Sequence, residues 1–221
     1  MPTPPADSPL SHLPDCPRVA IATPPFLPPL SFFAKWHRAD LLVLGDTFAY
    51  SRRTLHNRAR IHTPEGLLWL TVPVDGGQTG RPIRHVTMAR HATDARLPWP
   101  RKLARTLRFT YGTAPFYAHY APKLEAAFAQ PHASLGDLNE ALLRLVGSWL
   151  GVSTPIVRAS EIEGAPAGQA DTLAALPHVQ LLTDDFAEPP RYSHNGKWIP
   201  DLSVVDALMS VGPEAGARLA T

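Results

Sequence analysis

The chain has 221 residues, 44% of them hydrophobic, and a formal net charge of +2; that length can bury a sizeable core, and that composition excludes wholesale disorder. No apolar run approaches the roughly 18 residues that a transmembrane helix needs, and the Pro-rich start, MPTPPADSPLSHLPDCP, has neither the basic nor the apolar region of a signal peptide. The single Cys16 excludes an internal disulfide, and a cytoplasmic protein is expected.

Residues 1–17 read as a loosely packed leader and residues 18–221 as one α/β domain. RVAIA at residues 18–22 is a short apolar run, hence a buried strand. Prolines 24, 25, 28 and 29 then impose an extended loop, because each fixes φ and restricts its predecessor. LSFFAKWHR at residues 30–38 has helical spacing, and LLVL at residues 41–44 reads as a second strand. The opening is therefore β-loop-α-β, the start of a mostly parallel sheet with a right-handed crossover. LLWLTVPV at residues 67–74 is a further strand, and residues 83–88 are expected to pair back on it as the other arm of a long hairpin.

Beyond the hairpin, residues 98–111 have mixed helical character, and residues 121–129 read as a short helix started by Pro122. The surest helix spans residues 135–150, with Leu135, Leu138, Leu142, Leu145, Val146 and Trp149 at helical spacing. Ser134 is its expected N-cap and Gly151 its stop. Residues 154–158 and 179–182 read as a third and a weaker fourth parallel strand. A last helix over residues 201–210 ends at Gly212-Pro213.

Charge is unevenly placed. Residues 51–110 hold twelve Lys/Arg against three Asp/Glu, whereas residues 160–190 hold six acids and no Lys or Arg. A basic middle segment focuses a field on an anionic ligand, or simply forms a solvated basic face. The densest polar cluster is SRRTLHNRAR at residues 51–60. If extended, it puts Arg58 and Arg60 on one face and Asn57 on the other. Two guanidiniums on one face can grip a phosphate or carboxylate, or form a salt-bridged structural strand. Asn57 can orient an amide or hydroxyl. Asp46 follows the second strand, where open α/β sheets place their ligand crevice, although an Asp there can equally cap a turn. No metal-ligand spacing, Walker A loop, GxGxxG loop or GxSxG elbow is present, and the sequence specifies no cofactor.

The order of these motifs resembles the WbqC-like family. The resemblance rests on VAIATPPFLPPLSFF, VLGDTFAYSRRTLHNRARI and TPEGLLWLTVPV, then on Trp99 with Lys102, Ala114-Pro115-Phe116-Tyr117, Asp137-Leu138-Asn139, and Pro200-Asp201-Leu202-Ser203 with Asp206 and Gly212. It implies a bacterial protein of Rossmann-like fold, related by analogy to HIGH-type nucleotidyltransferases, with an inserted β-hairpin and a helical C-terminal part. It also implies transfer of a small group to an amino-sugar or nucleotide-linked substrate in surface-polysaccharide biosynthesis. On that reading Arg58, Arg60, Lys102 and Tyr192 hold the anionic part, Asn57 orients the acceptor and Asp46 serves as base.

The chain departs from the family pattern where histidines are expected. Ala22-Thr23 stands for His-Gln after the first strand, and Leu103 for the His after Lys102; the region between Gly168 and Tyr192 is shortened. His56, His62 and His194 are the remaining candidates for an acid or base. An alternative is therefore a catalytically degenerate member that binds an anionic metabolite or a partner protein. Nucleic-acid binding through the basic middle is a weaker reading, because no recognised binding module accompanies it.

Overall fold

A computed structural model describes residues 16–89, 97–162, 180–182, 193–194, 197–199 and 202–219. The expected leader thus lies almost wholly outside the described residues, with Cys16 exposed at their start. Strand β1 (Arg18–Ala22), helix α1 (Leu30–Arg38) and strand β2 (Leu41–Leu44) form the expected opening. Strand β5 (Ile156–Arg158) and the short β6 (Gln180–Leu181) complete a four-stranded sheet in the order β5-β2-β1-β6, all pairs parallel.

The sheet is mixed with helices as the pattern of apolar runs requires. All four residues of β2 are buried, as befits an inner strand covered on both faces. Period-2 alternation splits the strands between two cores. Ala20, Leu42 and Leu44 join the larger core with the helices, while Val19, Ile21, Leu41 and Val43 meet Val157, Ala159 and Ile162 on the other face. Helix α1 ends with Lys35, His37 and Arg38 in its last turn, where cations suit the helix dipole.

Between β2 and the remaining helices a separate antiparallel hairpin is inserted, made of β3 (Arg58–Thr63) and β4 (Gly66–Thr71). This corrects the expected pairing with residues 83–88. Thr63 pairs with Gly66 across a two-residue turn, and Gly66 takes a φ of +120° that suits glycine. So short a loop closes at less entropic cost than a distant pairing. Ile83–His85 is instead a short 3-10 turn, and only an isolated bridge between Val74 and Met88 survives of the expected arm. Residues 81–84 bond back to the chain after β2, through Tyr50 N–H to Arg81 O, Ile83 N–H to Phe48 O and Arg84 N–H to Asp46 O.

Helices α2 (Trp99–Tyr111), α3 (Tyr117–Ala129) and α4 (Leu135–Trp149) pack on the larger core. Helix α3 begins a turn earlier than expected, so Pro122 lies inside it. Proline there lacks the N–H that would reach the preceding turn, and burial of Tyr120, Ala121, Leu124 and Phe128 offsets that loss. Ser134 caps α4 by accepting from Asp137 N–H at 3.1 Å, and Gly151 follows in the left-handed region at φ +73°. Strands β7 (Ser193–His194) and β8 (Lys197–Trp198) form a small hairpin. The C-terminal part is helical, with α5 (Val204–Val211) and α6 (Glu214–Ala217). Helix α5 starts three residues later than expected because Ser203 is its N-cap, accepting from Val205 N–H and donating to Leu27 O at 2.8 Å.

Candidate functional site: a basic hairpin face beside the sheet's C-terminal edge

Residues 51–57 do not continue the strand. They close into a compact turn in which Ser51 N–H donates to His56 Nδ1 at 3.1 Å, and Ser51 Oγ accepts from Arg53 N–H. Thr54 Oγ1 donates to Ser51 O. His56 is buried, and burial pushes its pKa down to about 4. It is neutral at neutral pH, and because Nδ1 accepts, its proton sits on Nε2.

That turn is fastened over the end of β1. Phe26 N–H donates to Leu55 O at 2.8 Å. Asn139, from α4 and with no exposed surface, donates from Nδ2 to both Pro24 O at 2.8 Å and His56 O at 2.7 Å. One amide thus joins the loop after β1 to the basic turn. Its Oδ1 is buried and has no hydrogen-bond partner among the described residues. Tyr50 is buried, its ring 5.9 Å from that of His56. Burial pushes the Tyr50 phenol up, opposed by the cations Arg52 and Arg58.

Each expected site residue has a definite place. Asn57 is nearly buried and clamps β4 reciprocally: its Nδ2 donates to Val72 O at 2.9 Å, and Val72 N–H donates to Asn57 O at 2.8 Å. Its donor end therefore serves the fold. Arg58 and Arg60 alternate with the buried Ala59 and Ile61 and share the other face of β3, with His62 beyond them. Trp69 lies across from Arg60, and the Arg58 guanidinium stands 4.5 Å from its ring centroid. Arg58 Nη2 also donates to Arg53 O at 3.2 Å, while its Nε is buried without a hydrogen-bond partner among the described residues. The backbone edge of β3 is held by α5: Ser203 N–H donates to Arg60 O at 2.7 Å, and His62 N–H to Asp206 Oδ2 at 3.3 Å.

Asp46 does follow β2 at the sheet's C-terminal edge, but its carboxylate is occupied. Oδ1 accepts Ser160 N–H at 2.9 Å and Oδ2 accepts Ser160 Oγ at 2.6 Å, with the residue only 4% exposed. The contact ties the ends of β2 and β5 together. Arg158, at the end of β5, is likewise engaged, by Glu140 at 2.7 Å and Asp137 at 3.0 Å. Lys102 does not join the arginines. It lies on α2 in a groove at the tip of the hairpin, lined also by Thr63 and Gly66. Five residues of strand separate Arg58 from Thr63, about 17 Å at the usual rise. Tyr192 lies outside the described residues.

Three residues of this region were not singled out as site residues from the sequence. Tyr50 reads as an ordinary aromatic, and Asn139 as a polar position on an otherwise apolar helix face. Asp206 sits in the first turn of α5 with no exposed surface. Burial pushes its carboxyl up to about 7, against hydrogen bonds from Tyr111 and the His62 backbone that favour the charged form. A buried polar residue inside an apolar stripe is the signal for all such positions. Among the described residues no three His, Cys, Asp or Glu side chains cluster as a metal site would require, and no helix is long and apolar enough to cross a membrane.

The sequence profile of the WbqC-like protein family matches residues 23–184, well over half of the chain. The chain belongs to the WbqC-like family. It is also similar to the uncharacterized protein Rv1507c of Mycobacterium tuberculosis, with 28% identity over 227 residues that cover 90% of this chain and 95% of that protein. No solved structure matches the chain. The matched segment contains β2, the hairpin and α2–α4, so Asp46, the arginine pair, Lys102 and Asn139 all fall within it.

Proposed function

We propose that this WbqC-like chain binds an anionic, nucleotide- or sugar-linked metabolite on the outer face of β3, with Arg58 and Arg60 as the anion clamp. The observation that carries the proposal is the pairing of these guanidiniums on one strand face, next to the loop after β1 that Asn139 pins. Alternate residues on a strand are about 7 Å apart, a spacing that lets two guanidiniums converge on one phosphate or carboxylate. Asn139 ties the backbone leading into β3 to the loop after β1, and in α/β sheets the loops beyond the C-terminal ends of the strands take the ligands.

The same geometry favours a binder over a transferase. Both oxygens of Asp46 accept from Ser160 and the residue is only 4% exposed, so the expected base is held as a structural link between β2 and β5. His56 is neutral and turned into the turn it closes. The two positions at which the family pattern places histidines carry Ala22 and the buried Leu103. The second reading, small-group transfer in surface-polysaccharide biosynthesis, is favoured by the clamp itself. Positioning and charge stabilisation can accelerate a transfer without an acid or base.

Calorimetric titration with nucleotides and nucleotide-sugars tests the proposal. A ligand should bind the intact chain and lose at least about tenfold in affinity in Arg58→Ala and in Arg60→Ala. A ligand held equally well by both variants removes the clamp. Turnover of that ligand with an acyl or aminoacyl donor, lost in Asp46→Asn, would replace the binder reading with the transferase one. Binding to any oligonucleotide that vanishes at modest salt would favour nucleic acid instead.

A further inference from the structure

The groove at the other end of the hairpin is built unlike the arginine face. On α2, Lys102, Arg105, Thr106 and Phe109 follow one another at intervals of three, one and three residues, so they line a single helix face. The opposite face buries Trp99, Leu103, Leu107 and Tyr111 in the core. Leu67 and Leu68 at the hairpin tip, with Leu97 before α2, close the other side of a cavity of about 600 Å³. That volume lies in the range of small-molecule sites, roughly 300–1,000 Å³.

Exposed apolar surface is concentrated here. Of the five large hydrophobic residues left exposed among those described, Leu67, Leu68, Leu97 and Phe109 all line this cavity, and Phe109 is 76% exposed. A clustered apolar patch of this kind marks a binding site where single exposed leucines do not. The polar rim is equally particular. Lys102 and Arg105 stand one helical turn apart, and among the described residues neither side chain has an ion-pair partner. Glu65 is the one acid in the lining, so the rim carries a net positive charge.

We propose that this groove binds a small anionic amphiphile, an acyl chain ending in a carboxylate. The chain lies against Phe109 and the three leucines, and the carboxylate is held between Lys102 and Arg105. An apolar cavity with two cations at one end complements that chemistry, with one charge to neutralise and one hydrocarbon tail to desolvate. A nucleotide fits it poorly, since its several phosphate charges and base edges would meet a wall of leucine and phenylalanine. The site is independent of the arginine clamp, and its test can fail or succeed without it.

The probe is decanoate, titrated calorimetrically into the full chain below its micelle-forming concentration, with decanol and acetate as controls. One decanoate per chain is expected, bound at least about tenfold more tightly than decanol or acetate. Lys102→Ala with Arg105→Ala should lower decanoate affinity about tenfold and leave decanol unchanged, whereas Leu68→Ser should weaken both. Arg58→Ala with Arg60→Ala should change neither. The proposal is overturned if decanoate does not bind, or if it binds the Lys102/Arg105 double variant as tightly as the intact chain. Sedimentation with phosphatidylglycerol vesicles in the absence of decanoate binding would assign the groove to a membrane surface and overturn it too. So would a fall in thermal stability or a loss of self-association in Phe109→Ser, since the protein itself would then fill the groove.

Discussion

Replacing Asp206 by Asn should flatten the dependence of folding stability on pH. The carboxyl has an ordinary value of 3.8, pushed up to about 7 by burial. The folded chain therefore holds this proton more tightly than the unfolded chain. Stability from the neutral acid is fully present below the unfolded value and is lost as pH rises towards the folded one. The loss runs at about 1.4 kcal/mol per pH unit, so it totals about 4 kcal/mol above neutrality, of which about 1 kcal/mol is already gone at about pH 4.5. Asn keeps an oxygen to accept the His62 N–H and cannot ionise. Urea titrations of both proteins at about pH 4.5 and about pH 8 should therefore show Asp206→Asn gaining about 3 kcal/mol relative to the natural chain over that interval. Comparing the two chains cancels every other titrating group. Parallel pH profiles would refute the argument and place the Asp206 carboxyl in the ordinary carboxylate range.

Three further substitutions test the packing that positions the site. A Cβ on Gly147 would stand 2.6 Å from the Trp36 ring, so Gly147→Ala should cost about 1–3 kcal/mol in chemical denaturation despite its better helix propensity. Ser160→Ala removes the hydroxyl bonded to Asp46 Oδ2 and leaves a buried carboxylate short of a donor; a loss of about 1–3 kcal/mol in chemical denaturation at neutral pH is expected. Asn139→Ala deprives Pro24 O and His56 O of their donor, with an expected cost of about 2–5 kcal/mol and faster amide exchange in both loops.

The centre of the parallel sheet was legible because β1 follows Pro17 and β2 lies between Asp40 and Gly45, each a short apolar run, and the buried LLVL of β2 admits no amphipathic alternative. Helix α4 was legible from its leucine spacing and its Ser134 cap. The hairpin partner was not, because β3 alternates arginine and histidine with Ala59, Ile61 and Thr63, and its charged residues masked a period-2 pattern that the structure uses. The start of α3 was missed because Pro122 reads as a first-turn residue, whereas packing around Leu124 and Phe128 carries the helix across it. The arginine pair was readable from spacing alone once β3 is extended. Asn139 and Asp206 were not readable as anchors, since their partners are backbone groups 83 and 144 residues away in sequence. Nor could spacing show that Lys102 belongs to another cavity, a separation set by the length of the hairpin rather than by any local motif.

The stacking of Arg58 on Trp69 gives the clamp a built-in optical reporter. The indole is 43% exposed, and its face is covered by the very cation that a bound anion would draw upon. A ligand that pulls the guanidinium off the ring removes a cation–π contact and alters the polarity the indole senses. Its emission then shifts in proportion to occupancy. Of the four other tryptophans Trp36 and Trp99 are buried, and a comparison with Trp69→Phe separates the Trp69 signal from theirs and from those of Trp149 and Trp198. The proposed anion clamp can thus be followed without a label, and Trp69→Phe should abolish the signal while leaving the two arginines in place.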